Sequence, residues 1–217
     1  MARTALLLGA TGLVGRSLLP RLLASERYQR VRVLSRRPTD HDHGKLELRL
    51  TDFDDLGELA DFLAVDDVYC ALGTTMKRAG SRAAFERVDY HLVVDLARAA
   101  RAAGASRIAV VSAAGTSERS PSFYSRVKAR TEAAVAALDY EAVHLLRPSL
   151  LLGPRQESRP AERLGQLLAP VLGALLLGPL RIYRPDRVED VAEAMLQLVC
   201  DDRARGVQVH HLPLGGD

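Results

Sequence analysis

Residues 5–15 read Ala5-Leu6-Leu7-Leu8-Gly9-Ala10-Thr11-Gly12-Leu13-Val14-Gly15. Four apolar residues in unbroken succession suit a strand covered on both faces, as in a parallel sheet. The GxxGxxG run that follows opens an apolar helical stretch near Gly12–Ser25. In such a turn Gly9 permits the tight bend, Gly12 lets backbone approach a pyrophosphate, and Gly15 lets the helix pack closely on the strand. The first helical amides and the positive end of the helix dipole then face the phosphates. Glycine spacing alone is a weak signal, since turns are rich in glycine. Its place between a predicted strand and a predicted helix makes dinucleotide binding the expectation for residues 9–15, with Ala10, Thr11, Leu13 and Val14 completing the turn.

Working outward, β-prone apolar runs recur at Ala5–Leu8, Val31–Ser35, Leu46–Leu50, Val68–Leu72, Ile108–Ser112, Ala142–Leu146 and Val207–Leu212. Helical patterns lie between them, near Leu56–Leu63, Ala83–Ala103, Ser122–Leu138, Ala161–Leu177 and Val188–Asp201. Alternating strands and helices imply right-handed crossovers, so the expected class is α/β: a Rossmann-type, doubly wound parallel sheet. Gly104 falls where the Ala83–Ala103 helix should stop, and Asp186 is placed to cap the helix near Arg187 with Glu189 three positions on. The length of 217 residues fits one domain, residues 1–217, with a small C-terminal substrate lobe built mainly from 153–190.

Composition narrows the function. Thirty basic residues against 27 acidic ones leave a net charge of +3, too small and dispersed to call for nucleic acid. Cys70 and Cys200 stand far apart, and no Cys/His cluster exists, so neither a zinc site nor a secreted disulfide framework is expected. That points to a reducing, cytoplasmic setting. Ala5–Leu8 is too short for the apolar core of a signal peptide. Leu167–Leu180 is too short to span a bilayer and is broken by Pro170 and Pro179, so no transmembrane segment is read. A monomer or a homodimer is expected. His41 and His43 have no third ligand nearby and read as a solvated loop, so no metal is expected.

The second strand ends in Ser35-Arg36-Arg37, where NAD sites usually place an acid for the ribose 2′-hydroxyl. Two guanidiniums can instead clamp a 2′-phosphate, which favours NADP(H) over NAD(H); a merely solvated loop is the bland alternative. Asp52 and Phe53 follow the third strand, where an Asp can bond the adenine amino group and a ring can lie against the base. Asp52 can equally cap the next helix, as can Asp54 or Asp55. Leu72, Gly73, Thr74 and Thr75 follow the fourth strand and would bring backbone beside the cofactor.

Ser112 closes the fifth strand, and twelve residues later comes Tyr124, with Lys128 one helical turn beyond. Spacing of i and i+4 sets both side chains on one helix face. A free tyrosine is a poor acid-base catalyst at neutral pH, and a neighbouring ammonium favours its phenolate. Ser112 can hydrogen-bond a substrate carbonyl, and Lys128 can also hold the nicotinamide ribose. Lysine occurs only three times in a chain of 27 arginines, so Lys128 looks selected. A surface tyrosine beside a surface lysine is the alternative.

These residues carry a resemblance. GATGLVG at 9–15, LGTT at 72–75, Val88-Asp89, VVSAAG at 110–115, YSRVK at 124–128, LLRPSLLLGPR at 145–155 and the late RPDRVEDVAEAM resemble the atypical short-chain dehydrogenase/reductases, near the Tat-interacting-protein-like oxidoreductases. The resemblance implies an NADP-type cofactor, a Ser112/Tyr124/Lys128 catalytic set, and Pro148, Ser149 and Leu150 near the nicotinamide. The chain holds no asparagine, so the asparagine of many full catalytic tetrads is missing, which leaves water alone to link Lys128 to solvent.

The expected function is therefore NADP(H)-dependent hydride transfer to or from a carbonyl or alcohol. The apolar stretch Leu167–Leu180 favours a bulky or lipophilic small-molecule substrate. A catalytically weak, NADPH-binding regulatory protein is the second reading. A nucleotide-sugar epimerase or dehydratase is a third, disfavoured by the small C-terminal lobe.

Overall fold

A computed structural model describes residues 3–152 and 185–212. Seven parallel strands form the main sheet: β1 (Arg3–Leu8), β2 (Tyr28–Ser35), β3 (Leu46–Leu50), β4 (Asp67–Cys70), β5 (Arg107–Val111), β6 (Ala142–Leu146) and, last in the chain, β9 (Gly206–His210). Their order across the sheet is β3-β2-β1-β4-β5-β6-β9. The chain therefore reverses its direction of travel between β1 and β4, the switch point where ligands bind in open α/β sheets. A short parallel pair, β7 (Leu151–Leu152) and β8 (Asp186–Arg187), stands apart.

The unbroken apolar runs exist because each strand feeds two cores. Leu6, Leu8, Val68, Ile108 and Val110 face one layer, with Val93, Leu96 and Ala97 of α4 (Val93–Ala102) and Val135 of α5 (Phe123–Ala136). Ala5, Leu7, Val31, Val33 and Ala109 face the other, with Leu18 and Leu22 of α1 (Leu13–Ala24) and Val191 and Met195 of α6 (Val188–Cys200). Each fully buried leucine contributes about 1.5–3 kcal/mol by leaving water.

The predicted doubly wound sheet is present, but several expected elements differ. The helix expected at Leu56–Leu63 is one 3-10 turn, Gly57–Leu59. Leu59 and Leu63 are buried as the pattern required, yet Gly57 and the Asp55 carboxylate that accepts its amide favour turn geometry over a helix. The single helix expected at Ala83–Ala103 is α3 (Arg82–Glu86), a π-helical segment Arg87–Leu92, and α4. Two short helices are thus set before α4, the first being α2 (Met76–Ala79). Gly104, at φ +111°, ends α4 as expected. Asp186 does not cap α6; its carboxylate accepts the Ser149 amide at 2.6 Å instead, because β8 holds it against β7. The expected helix 161–177, the apolar stretch 167–180, and residues 153–184 of the expected substrate lobe lie outside the described residues.

Candidate functional site

The Gly9–Gly15 turn is built as its glycines require. Gly9 has φ +86°, and a Cβ there would stand 2.6 Å from the Ala71 carbonyl and 2.8 Å from the Leu72 amide nitrogen. A Cβ on Gly15 would collide with the Gly9 carbonyl, so the first turn of α1 lies directly on the β1 turn. Gly12 caps α1 without any side-chain bond, and the first turn of α1 holds no acidic residue. Its leading amides and dipole end are left for an anion.

Above the carboxyl ends of β1, β2 and β4 opens a cavity of about 750 Å³. Gly9, Thr11 and Gly12 form its floor, and Ser35, Arg36, Arg37, Asp52 and Phe53 one side. Leu72, Gly73 and Thr74 form another side, facing Arg78, Arg87 and His91. Ten of the residues singled out for the cofactor thus meet at one cavity. Ala10 lines a smaller neighbouring cavity with Arg16 and Thr39, while Val14 and Gly15 are buried beneath. Thr75 caps α2 through its side chain, which accepts the Arg78 amide.

Arg36 and Arg37 are exposed at the rim, and neither has a carboxylate partner among the described residues. Phe53 holds a left-handed φ of +69°, with its amide donated to Thr51 Oγ1 at 3.0 Å. The Asp52 carboxylate accepts the Asp54 amide at 3.0 Å rather than capping a helix. Across the cavity mouth Asp54 pairs with Arg87 at 2.7 Å.

Ser112, Tyr124 and Lys128 do not line this cavity; Lys128 reaches its wall at Gly73. A Cβ on Gly73 would sit 3.7 Å from Lys128 Nζ and 3.4 Å from Asp89 Oδ1. Lys128 is buried on α5 and its Nζ stands 2.9 Å from Asp89 Oδ1. At that distance the two groups form a buried ion pair. The other carboxylate oxygen of Asp89 accepts the Thr74 amide at 2.8 Å, and its carbonyl accepts the Thr131 hydroxyl at 2.7 Å. Tyr124 packs its ring on Phe85, with centroids 5.6 Å apart. Ser112 is buried; its amide donates to the Leu146 carbonyl at 2.7 Å, and the nearby Ala114 amide donates to the Pro148 carbonyl at 2.8 Å. These two bonds prolong the β5–β6 ladder and set Ser112 beside the Pro148–Leu150 segment. Among the described residues the Ser112 hydroxyl has only a long 3.5 Å contact, to Thr116 Oγ1.

The electrostatics correct the sequence expectation for the tyrosine. Burial raises the Tyr124 pKa; Lys128 lowers it as expected, but Asp89 raises it again, and the net direction is upward. Burial also works against the Lys128 ammonium, yet the Asp89 carboxylate, chiefly, outweighs this and holds it charged. Sequence reasoning quoted Val88-Asp89 but gave Asp89 no role. The signal was a carboxylate inside an apolar helical pattern, a residue type seldom fully buried without a partner.

The site has relatives. A model of the NAD dependent epimerase/dehydratase family matches residues 5–211. The chain belongs to this family. Among curated proteins, fmp52 of Emericella nidulans, named as mitochondrial, is 34% identical over 180 residues, covering 80% of this chain and 77% of that one. Protein HTATIP2 of Rattus norvegicus is 33% identical over 168 residues, covering 76% and 69%. These relatives bear out the resemblance to the atypical short-chain dehydrogenase/reductases. Among solved structures, MoeE5 in complex with UDP-glucose and NAD superposes with a TM-score of 0.71 at 23% identity, covering 96% of this chain and 76% of that one. The PhqB reductase domain of Penicillium fellutanum gives 0.68 at 16% identity, covering 95% and 66%. At such identities these two speak for the fold. No helix among the described residues is long and apolar enough to cross a membrane.

Proposed function

We propose that this epimerase/dehydratase-family protein is an NADP(H)-dependent oxidoreductase acting on a carbonyl or alcohol. The observation that carries the reading is Lys128: a buried ammonium one helical turn from Tyr124, touching the Gly73 wall of a cavity floored by the glycine turn.

The residues present fit a dinucleotide. Gly9 and Gly15 leave no room for a Cβ, and the open end of α1 suits its diphosphate. Arg36 and Arg37, without a carboxylate partner among the described residues, suit a 2′-phosphate and favour NADP(H) over NAD(H). Asp52 and Phe53 would flank the adenine, Leu72 to Thr75 the phosphates and ribose, and Pro148, Ser149 and Leu150 the nicotinamide end. When bound in reduced form, the nicotinamide supplies a hydride to the substrate carbon. Ser112 donates its hydroxyl to the carbonyl oxygen and holds it. Tyr124 gives that oxygen its proton, completing the two-electron reduction to an alcohol. Lys128 stabilises the tyrosinate left behind until solvent restores the proton. The phenol rests protonated at neutral pH, ready to donate, while its raised pKa makes it a weaker acid than the sequence reading expects.

A bulky, apolar substrate rests on the composition of Leu167–Leu180, outside the described residues. The cytoplasmic placement rests on two unbonded cysteines, Cys70 and Cys200; subcellular fractionation tests it against the mitochondrial naming of the fungal relatives.

The decisive experiment is Tyr124→Phe, assayed by NADPH oxidation with a panel of aldehydes and ketones. Turnover should fall about 10²–10⁴-fold while NADPH binding persists. Wild-type protein that binds NADPH but turns over none of the panel would favour the NADPH-binding regulatory reading.

A further inference from the structure

We infer that Asp89 is a positioning residue of the proposed reaction: its carboxylate pins the Lys128 ammonium in place and offsets its charge at Tyr124. The inference rests on the reading of Tyr124 as proton donor and adds to it the group that sets when the proton is given up.

The geometry begins with the π-helical segment. Within Arg87–Leu92 the wider helical turn carries Asp89, itself fully buried, in toward α5. One carboxylate oxygen is held by the Thr74 amide and the other faces Lys128 Nζ at 2.9 Å. The Asp89 carbonyl is held in turn by Thr131, one turn past Lys128 on α5. Three elements are therefore locked by one residue: the β4–α2 loop that lines the cofactor cavity, the π-helical segment, and the helix bearing Tyr124 and Lys128.

A buried ammonium with no counter-charge sheds its proton or disrupts its surroundings. Asp89 supplies that counter-charge; with it gone, the Tyr124 phenolate is the remaining anion among the described residues to pair with the ammonium, so the phenol gives up its proton sooner. The same carboxylate opposes the pull of that ammonium on the phenol. Among the described residues the charged and titratable groups reaching this cluster are few. Lys128 and Asp89 act on Tyr124, and Cys70 of β4 also acts on Lys128. Phe85 of α3 supplies a neutral wall. An asparagine at position 89 would keep an acceptor for the Thr74 amide and lose the charge. That is why carboxylate and amide should differ in proton chemistry more than in fold.

The test compares wild type, Asp89→Asn and Asp89→Glu by tyrosinate absorbance in cofactor-free protein across an alkaline titration. Tyr124→Phe identifies which of the six tyrosines is being read. The Tyr124 midpoint should drop by about one pH unit in Asp89→Asn and return toward wild type in Asp89→Glu. The alkaline limb of aldehyde reduction by NADPH should drop by the same amount. A Tyr124 midpoint that is unchanged in Asp89→Asn overturns the inference, as does turnover whose alkaline limb does not move. Should Asp89→Asn fail to fold, Asp89→Ser provides a second neutral side chain with an oxygen for the Thr74 amide. A midpoint that falls in a protein with no turnover toward any carbonyl upholds the charge relation and removes the catalytic reading.

Discussion

Arg147 closes a fork on Glu132, with Nε 3.0 Å from Oε1 and Nη2 2.5 Å from Oε2. Arg147 follows β6 directly, and Glu132 lies one turn beyond Lys128 on α5, so the fork ties the helix bearing the proposed acid to the end of the sheet. The Arg147 amide is itself anchored to the His210 carbonyl of β9 at 2.8 Å. Arg147→Ala would leave the buried Glu132 carboxylate without its partner and should cost up to about 3 kcal/mol. Arg147→Lys keeps the charge but not the planar two-point geometry, and should recover only part of that loss. Urea unfolding of the two variants checks this.

The glycines divide by what surrounds them. Gly9→Ala and Gly15→Ala each drive a methyl into backbone and should cost about 2 kcal/mol or more, with loss of NADPH binding. Gly104→Ala meets open space and faces only its φ of +111°, so its cost should be about 1 kcal/mol with binding intact. Thermal melts with and without NADPH separate the two groups.

Removing Arg36 and Arg37 together, as Arg36→Ala/Arg37→Ala, should weaken NADPH binding by roughly ten- to a hundredfold and leave NADH nearly untouched. Titration calorimetry with both nucleotides measures the difference. Equal losses for both would defeat the preference for the phosphorylated cofactor.

His144 of β6 gives the protein an acid weakness. It is fully buried, with Nδ1 3.1 Å from His210 Nε2. Burial, then His210, lowers its pKa from 6.5 to about 4. A base whose pKa is depressed in the folded state binds fewer protons than in the unfolded chain between these values. Stability should therefore be full above about pH 6.5 and decline as pH falls toward 4, by up to about 3 kcal/mol. His144→Gln should flatten that window in a series of urea titrations.

Much of this architecture could be read from the chain. The strands were legible because burial on two faces removes the polar alternation that complicates other sheets, and Gly9–Gly15 because backbone crowding admits only glycine there. Ser112, Tyr124 and Lys128 were legible as residue types at a spacing. The electrostatics around them were not. Asp89 turns inward through a π-helical segment, and the residues of 82–102 show an apolar period that runs on through the interruption. Helix period cannot announce where one additional residue enters a turn, because packing against α5 and the Thr74 loop decides it. The 3-10 turn at Gly57–Leu59 was missed for a related reason: Leu59 and Leu63 repeat at helical spacing while the local aspartates close tight turns.

Because β1 lies between β2 and β4, it is an interior strand, paired along both edges. Excising residues 3–8 would part the sheet into β2–β3 on one side and β4–β5–β6–β9 on the other, and would take away the support on which the Gly9 turn rests. Sequence drift is therefore best tolerated at the two borders, β3 and β9. A fusion or trimming that frays the third to eighth residues would harm shape and ligand capture together.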